Sequence, residues 1–171
     1  MKRILILTII GLTLAASSTK VQAQKFGYLN SAALLSEMTQ VKEADANLDA
    51  LQKQLQKKGQ QMVEALQAKY QELARKEKDG EMAPKAVQDE ATKLKAEEEK
   101  IQAFEQDMQK QIADKREQLL SPILDRVNKA IADVSKEKGY TFVFDASSQV
   151  LLYAEPGLDL MADVKLKLGM P

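Results

Sequence analysis

Apolar residues recur at heptad spacing along most of this chain and give way to alternation near both ends. Val41, Leu48, Leu55 and Met62 fall seven apart, with Ala44, Leu51 and Ala65 three residues further on. That is an a/d seam at a 3.5-residue period. Past Met62 the stripe drifts to Leu66, Tyr70 and Leu73. Asp79-Gly80-Glu81-Met82-Ala83-Pro84 then stops one helix and offers a proline suited to the first turn of the next. Val87, Leu94, Ile101 and Met108 resume the heptad, and Ile112, Leu119, Ile123, Val127, Ile131 and Val134 follow at closer to 3.6. The pattern predicts a long helical hairpin.

A turn near residues 81–82 sets the pairing across it. Leu51 meets Ile112, Leu55 meets Met108, Met62 meets Ile101 and Tyr70 approaches Leu94. Gly59 falls opposite Phe104, leaving room for the ring, with a flexing point in the arm as the second reading. The outgoing helix would reach on the order of 60–70 Å. Asn30 or Ser31 can cap its start, and Gly139 suits the C′ position after the returning helix. Ser121-Pro122 lies where the period changes, and a proline there is expected to bend the helix.

Strand signals flank the hairpin. Phe26-Gly27-Tyr28-Leu29 precedes it, and Tyr140, Phe142 and Phe144 alternate with Thr141, Val143 and Asp145 after it. Ala146-Ser147-Ser148-Gln149 reads as a turn begun by Asp145, with Val150-Leu151-Leu152-Tyr153 returning as a further strand. The fold class is α+β. Residues 39–119 form a hairpin arm with its tip turn near 79–84. Residues 24–38 and 120–171 form a β/α body, with strands near 25–29, 140–145 and 149–154 and a terminal helix over 159–168. Three short strands, several of them apolar on both faces, are marginal alone and expose open edges. Several copies closing one barrel is the economical solution, and three would supply about nine strands. The expected core of that shared body is Phe26, Tyr28, Tyr140, Phe142, Phe144, Val150 and Leu152.

Composition narrows the chemistry. Met1-Lys2-Arg3, the apolar run Ile4–Leu14 and Val21-Gln22-Ala23 make residues 1–23 read as a cleaved signal peptide, the run being about half the length a bilayer span requires. Removing Lys2, Arg3 and Lys20 from 25 bases leaves 22 against 25 acids, a net charge of −3. Those charges are interspersed, so no strong pull toward nucleic acid or a membrane surface is encoded. Cysteine and histidine are both absent, which excludes disulfides, Cys-His dyads, histidine bases and zinc sites. No Gly-x-x-x-x-Gly-Lys-Ser/Thr loop is present to cradle a nucleotide. No cofactor and no enzymatic activity are expected.

Particular segments carry a family likeness. They are Lys25-Phe26-Gly27-Tyr28-Leu29-Asn30 leading into Ser31-Ala32-Ala33-Leu34-Leu35, and Leu120-Ser121-Pro122-Ile123-Leu124-Asp125-Arg126-Val127. Ala130-Ile131, Lys138-Gly139-Tyr140-Thr141-Phe142-Val143-Phe144-Asp145, Leu151-Leu152-Tyr153-Ala154 and Leu158-Asp159-Leu160 before Val164 and Leu168 complete them. In these segments and in its order of elements the chain resembles the Skp/OmpH family of periplasmic chaperones. The resemblance implies a homotrimer with a shared β-barrel base and helical arms around a cavity. It implies a periplasmic holdase that keeps unfolded outer-membrane β-barrel proteins from aggregating without ATP. The alternative is a structural coiled-coil spacer of the envelope. One departure is the slightly acidic mature chain, since well-known members are strongly basic, so membrane-surface binding is not carried over.

The arm residues divide on this reading. Val41, Leu48, Leu51, Leu55, Met62, Leu94, Ile101, Met108 and Ile112 form the hairpin seam. Met38, Val63, Leu66, Leu73 and Met82 lie off it and are candidate client contacts, the plainer reading being that each completes the seam or its flank. Tyr70 and Phe104 are read as packing residues.

Overall fold

The computed structural model describes residues 24–148 and 150–171, so the signal-peptide reading of residues 1–23 lies outside the described residues. The elements run β1 (Phe26–Leu29), α1 (Ser31–Glu37), α2 (Thr39–Lys78), α3 (Pro84–Lys138), β2 (Phe142–Asp145) and α4 (Met161–Leu168). Short 3₁₀ turns cover Ala146–Ser148 and Pro156–Leu158. The molecule is mostly helical, with one small two-stranded sheet.

Local chemistry explains the element ends. Asn30 accepts a hydrogen bond from the Ala33 N–H at 2.9 Å, satisfying one free donor of α1. Met38 then adopts extended backbone, φ −70° and ψ 128°, and separates α1 from α2. That break was not legible in a run of good helix formers from Glu37 onward. Pro84 opens α3, and Gly139 closes it in the left-handed region at φ 72°, with the Tyr140 N–H reaching Ser135 O at 2.8 Å. α3 runs as one helix through Pro122.

β1 and β2 pair in parallel, Phe26 opposite Phe142 and Leu29 opposite Asp145. Parallel neighbours need a long crossover, and here the entire hairpin serves as that connection. Alternation along β1 buries Gly27 and Leu29 and turns Phe26 and Tyr28 away. The base core joins Leu29, Leu34 and Met38 to Val127, Ala130 and Val134 of α3 and to Leu160, Val164 and Leu168 at the C-terminal end. Arg126 ties α4 down by donating to Leu168 O at 2.7 Å.

Two expectations for the base need correction. Val150, Leu151, Leu152 and Tyr153 are not a strand within the protomer. The position beside β1 is taken at Tyr28 by a bridge to Asp159, with the Leu160 N–H donating to Tyr28 O at 2.9 Å, and Val150–Tyr153 pairs with neither strand. Tyr140 precedes β2 and does not share the face of Phe142 and Phe144. It packs on the protomer's own core, its ring against Gly27 and under the Lys25 ammonium, 4.2 Å from the centroid.

In the arm, α2 and α3 pack side by side. Near the tip a separate cluster joins Leu66, Leu73, Leu94 and Ile101, flanked by Met62, Met82 and Val87. Gly59 does face the Phe104 ring, with an added Cβ falling 3.4 Å away.

Candidate functional site

The base leaves one aromatic face bare. Phe26 and Phe142 stack with centroids 5.8 Å apart, and Phe144 lies 6.1 Å from Phe26 on the same side. These rings are 43%, 51% and 47% exposed, and nothing among the described residues covers them fully. Beside them Val150, Leu152 and Tyr153 stand almost wholly in solvent. An open groove of about 350 Å³ runs between Phe26, Tyr28, Phe144, Leu151 and Tyr153. Contiguous apolar surface of this kind on a folded chain marks an interaction site. Of the residues expected to line a shared body, Phe26, Phe142 and Phe144 share this face and Tyr28 lines its groove, whereas Tyr140 is turned inward.

The rim of that face is held by a polar clamp. Asp145, at the end of β2, accepts from the Ser31 N–H at 3.1 Å, from the Ser31 hydroxyl, and from the Ser147 N–H at 2.9 Å. Partial burial pushes its pKa up, but these hydrogen bonds outweigh that and hold it at about 2. The expected turn role of Asp145 is thus joined by a second one, fastening β2 to the start of α1.

The seam residues fall into three groups. Leu48, Leu55, Leu94 and Ile101 are buried between the arm helices. Leu51, Met62, Met108 and Ile112 are half-buried along the same interface. Val41 packs instead on the base core.

Burial separates the five candidate client contacts. Met38 is 2% exposed within the base, and Leu66 and Leu73 are buried in the tip cluster, so none of the three presents surface to a partner. Met82 is half-buried against the same cluster. Val63 alone is open, at 48%. The shift of seam from Met62 to Leu66 and Leu73 was readable as a four-residue step followed by a seven, the mark of a local change of register. Tyr70 stays 39% exposed, more open than a packing residue.

Charge closes the arm tip and one flank. Arg75 donates through both terminal nitrogens to Glu81, at 3.0 and 3.2 Å, and also to Asp79 at 3.1 Å. Lys69 bridges to Glu97 across the hairpin, and Lys58 sits 4.9 Å from the Phe104 centroid. Among the described residues no acidic cluster is arranged to hold a metal ion, and no helix is long and apolar enough to cross a membrane.

These features define a class, a helical hairpin rooted in a two-stranded base whose aromatic face is left uncovered by the described residues. The family model for outer membrane proteins of the OmpH-like type matches residues 25–168, and the chain belongs to that family. Chaperone protein Skp of Yersinia enterocolitica is 31% identical over 169 residues, covering 96% of this chain and 97% of that protein. Chaperone protein Skp of Pectobacterium atrosepticum is 30% identical over the same span. A crystal structure of an OmpH-like protein from Caulobacter crescentus superposes with a TM-score of 0.73 over 85% of this chain and 83% of its own, at 21% identity, a likeness of fold.

Proposed function

We propose that this protein is a periplasmic, ATP-independent holding chaperone that assembles as a homotrimer through its base. It would hold unfolded outer-membrane β-barrel proteins between its arms. The observation that carries the assembly is the bare aromatic face of Phe26, Phe142 and Phe144, which a lone protomer leaves in water. Copies joined through that face would bring strand edges and the Val150–Tyr153 segments together and root several arms at one point. Relatives named chaperones that match 96% of the chain support the holding role.

The physical logic of holding is weak, repeated contact. A two-helix arm exposes most of its surface, and several arms around one client add through effective concentration. Val63 and Tyr70, seven residues apart on one face of α2, are the open apolar side chains best placed for such contact. Binding and release then need no catalytic group.

The test is light scattering during dilution of a denatured outer-membrane β-barrel protein. Suppression of aggregation at near-stoichiometric trimer is expected. Full aggregation in its presence would leave the chain a coiled-coil spacer of the envelope.

A further inference from the structure

Gln24 follows directly on Val21-Gln22-Ala23, the small residues at 21 and 23 suiting signal-peptidase cleavage after Ala23. Cleavage there makes Gln24 the first residue of the exported chain. A glutamine in first place carries its own electrophile. Bonding of its α-nitrogen to its Cδ closes an unstrained lactam, whereas asparagine, one methylene shorter, would close a strained one. An α-amino group titrates at about 8, so the nucleophilic neutral amine is present at neutral pH.

The structure shows what surrounds that residue. Gln24 is exposed, and pairing with the β2 side begins one residue later, where the Thr141 N–H donates to Lys25 O at 2.7 Å. Alternation then fixes the side of the sheet. Lys25 has the parity of the buried Gly27 and Leu29 and turns inward, its ammonium 4.2 Å from the Tyr140 centroid and donating to Lys138 O at 3.0 Å. Residue 24 has the opposite parity, that of Phe26 and Tyr28, and so belongs to the side of the bare aromatic face. An open terminus would place an ammonium two residues from Phe26, at the rim of that face.

We propose that Gln24 of the exported chain cyclises to pyroglutamate. The α-nitrogen bonds to Cδ, the Cδ–Nε2 bond breaks, a proton passes from the attacking nitrogen to the departing one, and ammonia leaves. No co-reactant enters, and nucleophile and carbonyl share one residue, which makes their effective concentration high. The lactam is neutral. It removes one positive charge per chain beside the aromatic face, so that burying this face leaves no terminal ammonium to desolvate. It also withholds the free amine that aminopeptidases require. The modification rests on the exported, periplasmic reading proposed above and needs neither the holding role nor the trimer.

Intact mass and stepwise N-terminal sequencing test it on the full chain exported under its own leader and purified from the periplasm. The product should be lighter than residues 24–171 by one ammonia and give no sequencing signal. Pyroglutamyl aminopeptidase should restore the signal, starting at Lys25. Gln24→Ala should keep the full mass of its own sequence and a free terminus, which separates cyclisation from ammonia lost at an internal amide. A free Gln24 amine persisting through prolonged incubation at neutral pH would overturn the proposal, and so would a first residue other than Gln24. Failure to suppress client aggregation, with ammonia still lost from residue 24, would sink the holding role alone.

Discussion

Asp145 and Ser31 are joined twice, by the Ser31 N–H donating at 3.1 Å and by the Ser31 hydroxyl donating to the second carboxylate oxygen. One aspartate so couples the end of β2 to the start of the helical crossover, beside the bare aromatic face. The sign of its pH dependence follows from a folded pKa of about 2 against an ordinary 3.8. A depressed pKa contributes stability that is fully present above 3.8 and lost as pH falls through 2. The side chain is solvent-accessible, so screening reduces the contribution to about 1 kcal/mol. Asp145→Asn should cost about that much in urea unfolding at pH 7 and flatten the loss between pH 4 and 2. An unchanged acid limb would remove the clamp from the account.

Gly27 sits where β1 crosses the base core. A Cβ there would lie 2.4 Å from Leu160 Cδ1 and 3.0 Å from the Tyr140 ring, and Leu160 is only 1% exposed. Gly27→Ala should destabilise by about 1–3 kcal/mol through overpacking, read as a lowered midpoint in thermal unfolding. An unaltered midpoint would mean β1 and Leu160 do not meet this closely.

Leu94 and Val63 lie on the same arm with opposite surroundings, 1% and 48% exposed. Leu94→Ala should cost about 2–5 kcal/mol and loosen the outer hairpin, visible as faster exchange around Leu66 and Leu73. Val63→Ser should stay within about 0.5 kcal/mol of the parent while holding less client per trimer. Full holding capacity in the Val63 variant would assign client contact elsewhere on the arm.

Phe142 is half-exposed in the protomer, so Phe142→Asp leaves the protomer's own core untouched. In a closed barrel the same carboxylate would be buried without a partner. Native mass should fall to that of the single chain, with helical circular dichroism of the arm retained. A stable oligomer of the variant would place the assembly surface away from this face.

The hairpin was legible because its signals are local. Heptad spacing, a glycine-proline turn, the Asn30 cap and the Gly139 stop each act within a turn or two of helix, and each is found where its chemistry requires. The facing of Gly59 and Phe104 follows from the turn position alone. The base was less legible. Strand identity depends on pairing between distant segments, and among the described residues Val150–Tyr153 pairs with neither strand, while Asp159 bridges to Tyr28.

What the amino-acid order by itself determined is the alternation of long helices, tip turn and short aromatic strands, since periodicity and capping are properties of neighbouring residues. Only the tertiary structure decided which apolar residues are spent inside. Leu34, Met38 and Leu160 were drawn into the base core by elements far away in the chain, while Phe26, Phe142 and Phe144 were left facing water. Both groups are equally hydrophobic in sequence. Their difference is set by approach between distant segments, through which burial acts, and no local pattern encodes that.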